Sequence, residues 1–311
     1  MNLFAHGGFP TDTYVSAEID RQIVTVNCVL NAPLMVMSIA GNILILTAVL
    51  KSPTLRRSTS IMLLCSLAVS DLLVGFVVQP LYIADELIRL KTENLLLHRL
   101  SGILGFFLCG VSINTMTLIS LDRMFLLLYH MRYLALITEF RIKFIIAIVW
   151  LSTLSSCSAL YVWDKFVFHL ITGFVISICV VICTFSYIKI YSIARRHKLQ
   201  IQIEQQAVRG NSADSVNNLH MARTIKSAMN TFIFYIFLLI CYVPSVVLLI
   251  LFATVHKYWK PEWTFSSTVI HMNSSVNPIL YCWRLRELRL EVIRIGKQLL
   301  PKCRSSGQMN D

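Results

Sequence analysis

Residues 118–133 read LISLDRMFLLLYHMRY, and they close a run, 100–121, that holds no charged residue at all. A stretch of that length matches the roughly 20 apolar residues of a membrane-spanning helix. It ends in an acid–base pair, Asp122 and Arg123, and then becomes apolar again. A soluble helix would not bury so much uncharged length and then place Asp-Arg before a second greasy stretch. The pair marks the end of a span, and its meaning depends on how many spans there are and which way they face.

Composition favours lipid as the solvent. Of 311 residues, 56% are hydrophobic and only 14% charged, about half the charged share of an average soluble domain. Stretches of about 20 apolar residues with few charges occur seven times, near 27–50, 60–84, 100–129, 144–163, 166–191, 225–255 and 263–283. Pro33, Gly41, Pro80, Pro244 and Pro278 lie well inside them, as membrane helices tolerate and soluble ones do not. The expected fold is an all-α membrane protein, a seven-helix bundle over 27–283. An extracellular tail (1–26) precedes it, and a cytoplasmic tail (301–311) ends the chain. Residues 284–300 repeat Leu285, Leu288, Val292, Ile295 and Leu299 among Arg and Glu, which predicts an amphipathic helix on the membrane surface.

Charge sets the direction. Of the 28 lysines and arginines, 7 fall with the N-terminal tail and the loops after spans two, four and six, and 21 with the other loops and the C-terminus. The richer side is cytoplasmic by the positive-inside rule, which places the N-terminus outside. The 16 acids split 8 outside and 7 inside, with Asp71 in the membrane. The net charge of +12 therefore comes from topology, and nucleic acid is excluded as a partner. Eight of nine cysteines fall in apolar runs without CxxC spacing, as small buried hydrophobes do. The N-terminus lacks the basic start and apolar stretch of a cleaved signal, so the first span would target the chain. Aromatics gather at the outer ends (Tyr161, Trp163, Tyr258, Trp259, Trp263) and inner ends (Tyr129, Tyr133, Tyr191, Trp283), where rings meet headgroups.

Polar groups inside the spans carry the chemistry. A carboxylate at mid-membrane costs roughly 2.5–3.5 kcal/mol on insertion scales, so Asp71 is either a tolerated, protonated acid or part of a buried polar cluster holding a cation. Asn42, Ser112, Asn273, Ser274 and Asn277 are its candidate partners. Pro278 frees helical backbone that the preceding Asn277 can bond, and with Tyr281 the segment reads as a hinge. Pro244 in CYVPS, 241–245, is a kink beneath an aromatic. Arg123, neutralised by Asp122, closes a helix at the cytoplasmic mouth.

This set resembles the rhodopsin-like (class A) G-protein-coupled receptors, over about residues 27–300. GNILIL (41–46) with Asn42, LAVSDLL (67–73) with Asp71, LDRM (121–124), Trp150, Tyr187 and NPILY (277–281) follow the family's signatures in order, on spans one to five and seven. The resemblance implies a multi-pass plasma-membrane receptor that binds an extracellular small-molecule, lipid or peptide ligand and activates a heterotrimeric G protein. Arg123 would brace the resting state and then meet the G protein, while Tyr187 and Tyr281 would swing inward. Asp71, Ser112, Asn273, Ser274 and Asn277 match the family's sodium pocket, making Na+ a candidate allosteric ion, with no other cofactor required.

Departures are equally specific. Met124 replaces the motif Tyr, Tyr242 the sixth-helix Trp, Cys179 the fifth-helix Pro, and His98 the cysteine that tethers helix three. The melanocortin and lysolipid/cannabinoid branches show similar losses of that tether, and the chain leans towards them. Gly105 stands where amine receptors carry Asp, and His271 where opsins carry the retinal lysine, so an amine anchor and a retinal Schiff base are disfavoured. Phe106, Cys109, Tyr242 and His271 are the ligand-pocket candidates, with His271 either a contact or a satisfied core histidine. Cys303, beside Lys302 and Arg304, is a palmitoylation candidate or a free thiol. The competing class is an ion-coupled transporter or channel using Asp71 and His271. It is disfavoured by the lack of an internal repeat and of a polar stripe along several spans. No residue set suits an enzyme.

Overall fold

The computed structural model describes residues 10–56, 58–92, 94–129, 132–158, 165–207, 232–255 and 260–299. Seven long helices and an eighth shorter one account for most of them. In chain order these are α1 (Pro10–Lys51), α2 (Thr59–Arg89), α3 (Leu95–Tyr129), α4 (Glu139–Ser158), α5 (Lys165–Ala207), α6 (Phe232–Val255), α7 (Lys260–Arg284) and α8 (Arg286–Leu299). Single helical turns, Pro53–Arg56 and Tyr133–Leu136, punctuate two of the connections at the basic end of the bundle.

Helices α1 to α6 each hold a segment long and apolar enough to cross a membrane; among the described helices α7 is long enough but too polar. Its serines, threonines, asparagines and histidine are buried against the bundle instead (Thr264, Ser266, Thr268, His271, Asn273, Ser274, Ser275 and Asn277). Hydropathy undervalues a helix whose polar side faces other helices. The exposed side chains of the bundle are leucines, isoleucines, valines and phenylalanines, such as Phe76, Val181 and Phe174, as expected where lipid tails cover them. The chain is a multi-pass membrane protein.

Neighbour relations close the bundle. α1 packs on α2 and α7, α5 on α6, and α6 on α7, while α3 runs centrally against α2, α4 and α5. Two glycines permit close approach. A Cβ at Gly41 would lie 2.8 Å from Cβ and Cγ of Pro278, and one at Gly75 would lie 2.8 Å from Cβ of Ser38. The first contact seats the α7 proline directly on α1. Within α2 a π-turn, Val74–Val78, interrupts the α-helix just before Pro80. Proline has no N–H to return to residue 76, and the wider turn absorbs that missing bond.

Helix α1 begins ahead of its apolar span, and α5 continues past its span to Ala207. α8 buries Leu288 and Ile295 and exposes Leu290 and Ile293, consistent with a helix whose apolar side is shared between bundle and bilayer. Cys303, Tyr161, Trp163, Tyr258 and Trp259 lie outside the described residues.

Candidate functional site

Asp71, on α2, is fully buried. Ser112 of α3 and Ser274 of α7 donate to its Oδ1 at 3.0 and 2.8 Å, and Asn277 of α7 donates to Oδ2 at 2.7 Å. Asn273 reaches the same cluster through Ser112 Oγ at 3.4 Å. Asn42 of α1 donates to the carbonyls of Ser38 and Ser274 at 2.8 and 3.3 Å, and Ser38 Oγ donates to the Asp71 carbonyl at 2.8 Å. The six residues expected from sequence thus form one network that ties four helices together. Each buried donor would cost about 1–3 kcal/mol if left unmet in apolar surroundings, which makes the network a stringent constraint on how α7 sits.

The basic end carries Asp122 and Arg123. Asp122 is buried and holds two hydroxyls: Ser60 of α2 donates to Oδ2 at 2.8 Å and Tyr133 to Oδ1 at 2.5 Å. Arg123 approaches Asp122 only at 3.9 Å through Nε. The expected acid–base pair is therefore loose, and the acid instead pins α2 and the turn Tyr133–Leu136 to α3. Burial, and then the adjacent Asp122 carboxylate, push the Tyr133 phenol above its ordinary value. Arg123 lines a cavity shared with Ser120, Tyr187, Tyr235, Tyr281 and Arg284. Tyr187 stacks on Tyr235 with centroids 4.9 Å apart, and its hydroxyl accepts from Ser120 Oγ at 3.5 Å. Tyr281 stacks on Phe234 at 5.3 Å, and Arg284 lies over the same Phe234 ring.

The expected pocket residues divide. The Tyr242 hydroxyl donates to the Cys109 carbonyl at 3.2 Å, so these two meet. Phe106 belongs to an aromatic group with Phe168 and His169, at 4.8 and 6.0 Å, which His169 extends to Phe252 and Trp263. His271 turns the other way, to Asn31 Oδ1 of α1 at 3.2 Å and edge-on to Tyr82 at 5.1 Å. Pro244 and Pro278 both lie inside helices, as expected. At the end opposite the basic one, His98 Nδ1 sits 3.0 Å from Asp85 Oδ2 of α2. The eight cysteines among the described residues are free thiols.

A rhodopsin-family seven-transmembrane receptor model matches residues 41–166, from the Gly41–Asn42 signature through Asp71, Asp122–Arg123 and Trp150. Over that stretch, 126 of the 311 residues, the chain is similar to the rhodopsin-like receptors. The receptor is 27% identical to an adenosine receptor A2b of Gallus gallus over 90% of this chain and 92% of that protein. It is 23% identical to a cannabinoid receptor type 1B of Takifugu rubripes, over 94% of this chain and 66% of that one. An alpha-2A adrenergic receptor of Danio rerio is 31% identical over 52% of the chain and 45% of its own length. Taken together, the match and these relatives make the protein a G-protein-coupled receptor and not an enzyme.

Several site residues escaped the sequence reading. Asn27, Asn31 and Ser38 line the inner face of α1 with Asn42, at spacings of four, seven and four, all fully buried. They meet a matching row on α7. The expectation that no polar stripe runs along several spans is therefore wrong for α1 and α7: single asparagines in an apolar run barely move hydropathy, and only their periodicity reveals them. Tyr133 and Ser60, which hold Asp122, had no local signal, because their partner lies on another helix.

Proposed function

We propose that the receptor sits in the plasma membrane with its N-terminus outside, binds an extracellular ligand and turns that binding into activation of a heterotrimeric G protein. Arg123, Tyr187 and Tyr281 are the moving parts, Pro244 and Pro278 the kinks that let α6 and α7 bend, and Asp122 the anchor of the inner loop. The observation that carries this reading is the cavity at the basic end, where Arg123, held only at 3.9 Å from Asp122, faces Tyr187 and Tyr281. An arginine held in this way is available to an incoming helix from a partner. A ligand need supply only a few kcal/mol of preference for the active state.

The ligand does not require a cationic amine, because Gly105 offers no carboxylate to hold one. The ligand is a small molecule, lipid or peptide, with Phe106, Cys109 and Tyr242 as contacts, while His271, turned to Asn31 and Tyr82, serves the α1–α7 contact, and membrane lipids surround the bundle. Na+ fits the Asp71 cluster: Oδ1 of Asn42, Asn273 and Asn277 are buried acceptors without a hydrogen-bond donor among the described residues, and hard cations take oxygen ligands. Asp71, Ser112, Asn273, Ser274 and Asn277 would hold the ion, which would stabilise the resting packing of α2, α3 and α7. The test is nucleotide exchange on purified heterotrimers mixed with receptor in lipid nanodiscs. Acceleration that falls on Tyr281→Phe supports the reading; no acceleration by any α-subunit class, with or without ligand extracts, contradicts it.

A further inference from the structure

Between α5 and α6, at the end of the bundle opposite Arg123, a cavity of about 200 Å³ opens on the flank of the protein. His169, Gly173 and Ser177 line it from α5, and Val246, Leu249, Ala253 and Thr254 from α6. The two helices run antiparallel, so His169 and Thr254 mark one end and Ser177 and Val246 the other. Eight residues separate the ends on either helix, about 12 Å at the rise of an α-helix. Leu170, Phe174 and Ile250 form the rim, and Phe174 is 68% exposed. Apolar side chains on this flank face hydrocarbon, so an occupant arrives from the membrane and not from water.

Gly173 makes the room. A Cβ there would lie 3.5 Å from Cβ and Cδ1 of Leu249, an ordinary contact, and anything longer would grow into the cavity. Lipid tails alone need only an apolar groove, whereas a binding site adds a few placed polar groups. Two hydroxyls here have already spent their protons. Ser177 donates to the Gly173 carbonyl at 2.7 Å, and Thr254 to the Ile250 and Leu251 carbonyls at 3.0 and 3.3 Å. A hydroxyl keeps acceptor lone pairs once its single proton is committed, so both present acceptors. No Asp, Glu, Lys or Arg lines the cavity among the described residues. That chemistry selects an uncharged molecule that donates a hydrogen bond.

Depth gives the molecule its direction. α5 begins at Lys165 and α6 ends at Val255, so His169 and Thr254 sit near the helix ends and Ser177 lies two turns deeper. His169 is also the wall between groove and interior, with its ring 5.4 Å from Phe252, 5.6 Å from Trp263 and 6.0 Å from Phe106. We propose that the α5–α6 groove is a second, membrane-side binding site for an uncharged amphiphile with a hydroxyl or amide N–H at its polar end. The donor meets Thr254 beside His169, and the apolar body runs past Gly173 to Ser177. The site is separate from the meeting of Tyr242 and Cys109, and its occupancy does not depend on G-protein coupling.

The probe is a long-chain fatty alcohol with a diazirine in its chain, photolysed with receptor in phosphatidylcholine nanodiscs and mapped by peptide mass spectrometry. Labelling saturates on 169–177 and 246–254. The unlabelled alcohol displaces it at least fivefold more effectively than its methyl ether, which has no donor. Gly173→Leu fills the groove and lowers labelling of these peptides at least fivefold; Ala253→Leu, on the facing helix, does the same should Gly173→Leu fold poorly. Thr254→Val abolishes the advantage of the alcohol over the ether. Labelling spread evenly over the lipid-facing helices, or unchanged in a folded Gly173→Leu or Ala253→Leu receptor, overturns the site and leaves an ordinary bilayer contact. Equal displacement by alcohol and ether in wild type overturns the donor requirement, and with it the class of ligand. None of these readouts uses a G protein, so failure here leaves the receptor reading untouched.

Discussion

Asn277 donates to Asp71 at 2.7 Å, joining the residue before the α7 proline to the middle of α2. Pro278 in turn rests on α1 at Gly41. One acid therefore fixes the bend of α7 from one side and one glycine receives it from the other. Any ligand-driven movement of the inner half of α7 has to pass through that junction.

Asp71→Asn keeps the shape of the side chain and removes its charge. The expected outcome is a receptor that reaches the cell surface but whose unfolding midpoint no longer rises in NaCl relative to choline chloride. Thermal unfolding in the two salts checks it. Sodium-specific stabilisation that survives the substitution would place the ion elsewhere.

Tyr133→Phe removes the hydroxyl that binds Asp122. A hydrogen bond to a charged partner contributes roughly 1.5–3 kcal/mol, about tenfold or more in an equilibrium. Basal G-protein activation should rise several-fold as the inner turn loosens from α3. The phenol's pKa is raised by burial and the acid, so the bond is intact below the ordinary tyrosine value of about 10 and is lost only as pH climbs past it. Basal signalling of wild type should thus show no contribution from this group between pH 6 and 8.5, which inside-out membrane preparations can measure.

Gly41→Val puts two methyl groups where even a Cβ would be 2.8 Å from Pro278. Overpacking of this sort costs about 1–3 kcal/mol, and α1 and α7 are both backbone-constrained there. Lower surface expression and a lower unfolding midpoint are expected. A midpoint equal to wild type would mean that α7 does not seat on α1 as described.

His98 and Asp85 pair at 3.0 Å where the family's usual cysteine would anchor α3. Alanine at each and at both, taken as a double-mutant cycle, should give a coupling energy of about 0.5–3 kcal/mol in unfolding. Dithiothreitol should leave the midpoint unchanged, since the eight described cysteines are free. Additive single effects would remove the pair as a tether.

Much of this was legible in the sequence, for a physical reason. Asp71, Asn277, Arg123 and Tyr281 are expensive or conformationally unusual inside apolar runs, so each announces itself locally. Asn27, Asn31 and Gln79 were not read because an isolated amide in a long span is a small perturbation until three helices are brought together. α7 was legible as a span only by ignoring its polar row, which faces inward. The looseness of Arg123 against Asp122 was hidden for a related reason: two adjacent residues on a helix point in different directions, and Asp122 finds Ser60 on another helix and Tyr133 in the turn beyond its own.

The measurement closest to the central claim is basal activation of a panel of G-protein α subunits in cells, wild type against Arg123→Ala at matched surface levels. The expected result is at least one subunit activated by wild type and not by Arg123→Ala. Equal activation by both would contradict the role given to Arg123 and to the cavity that holds it.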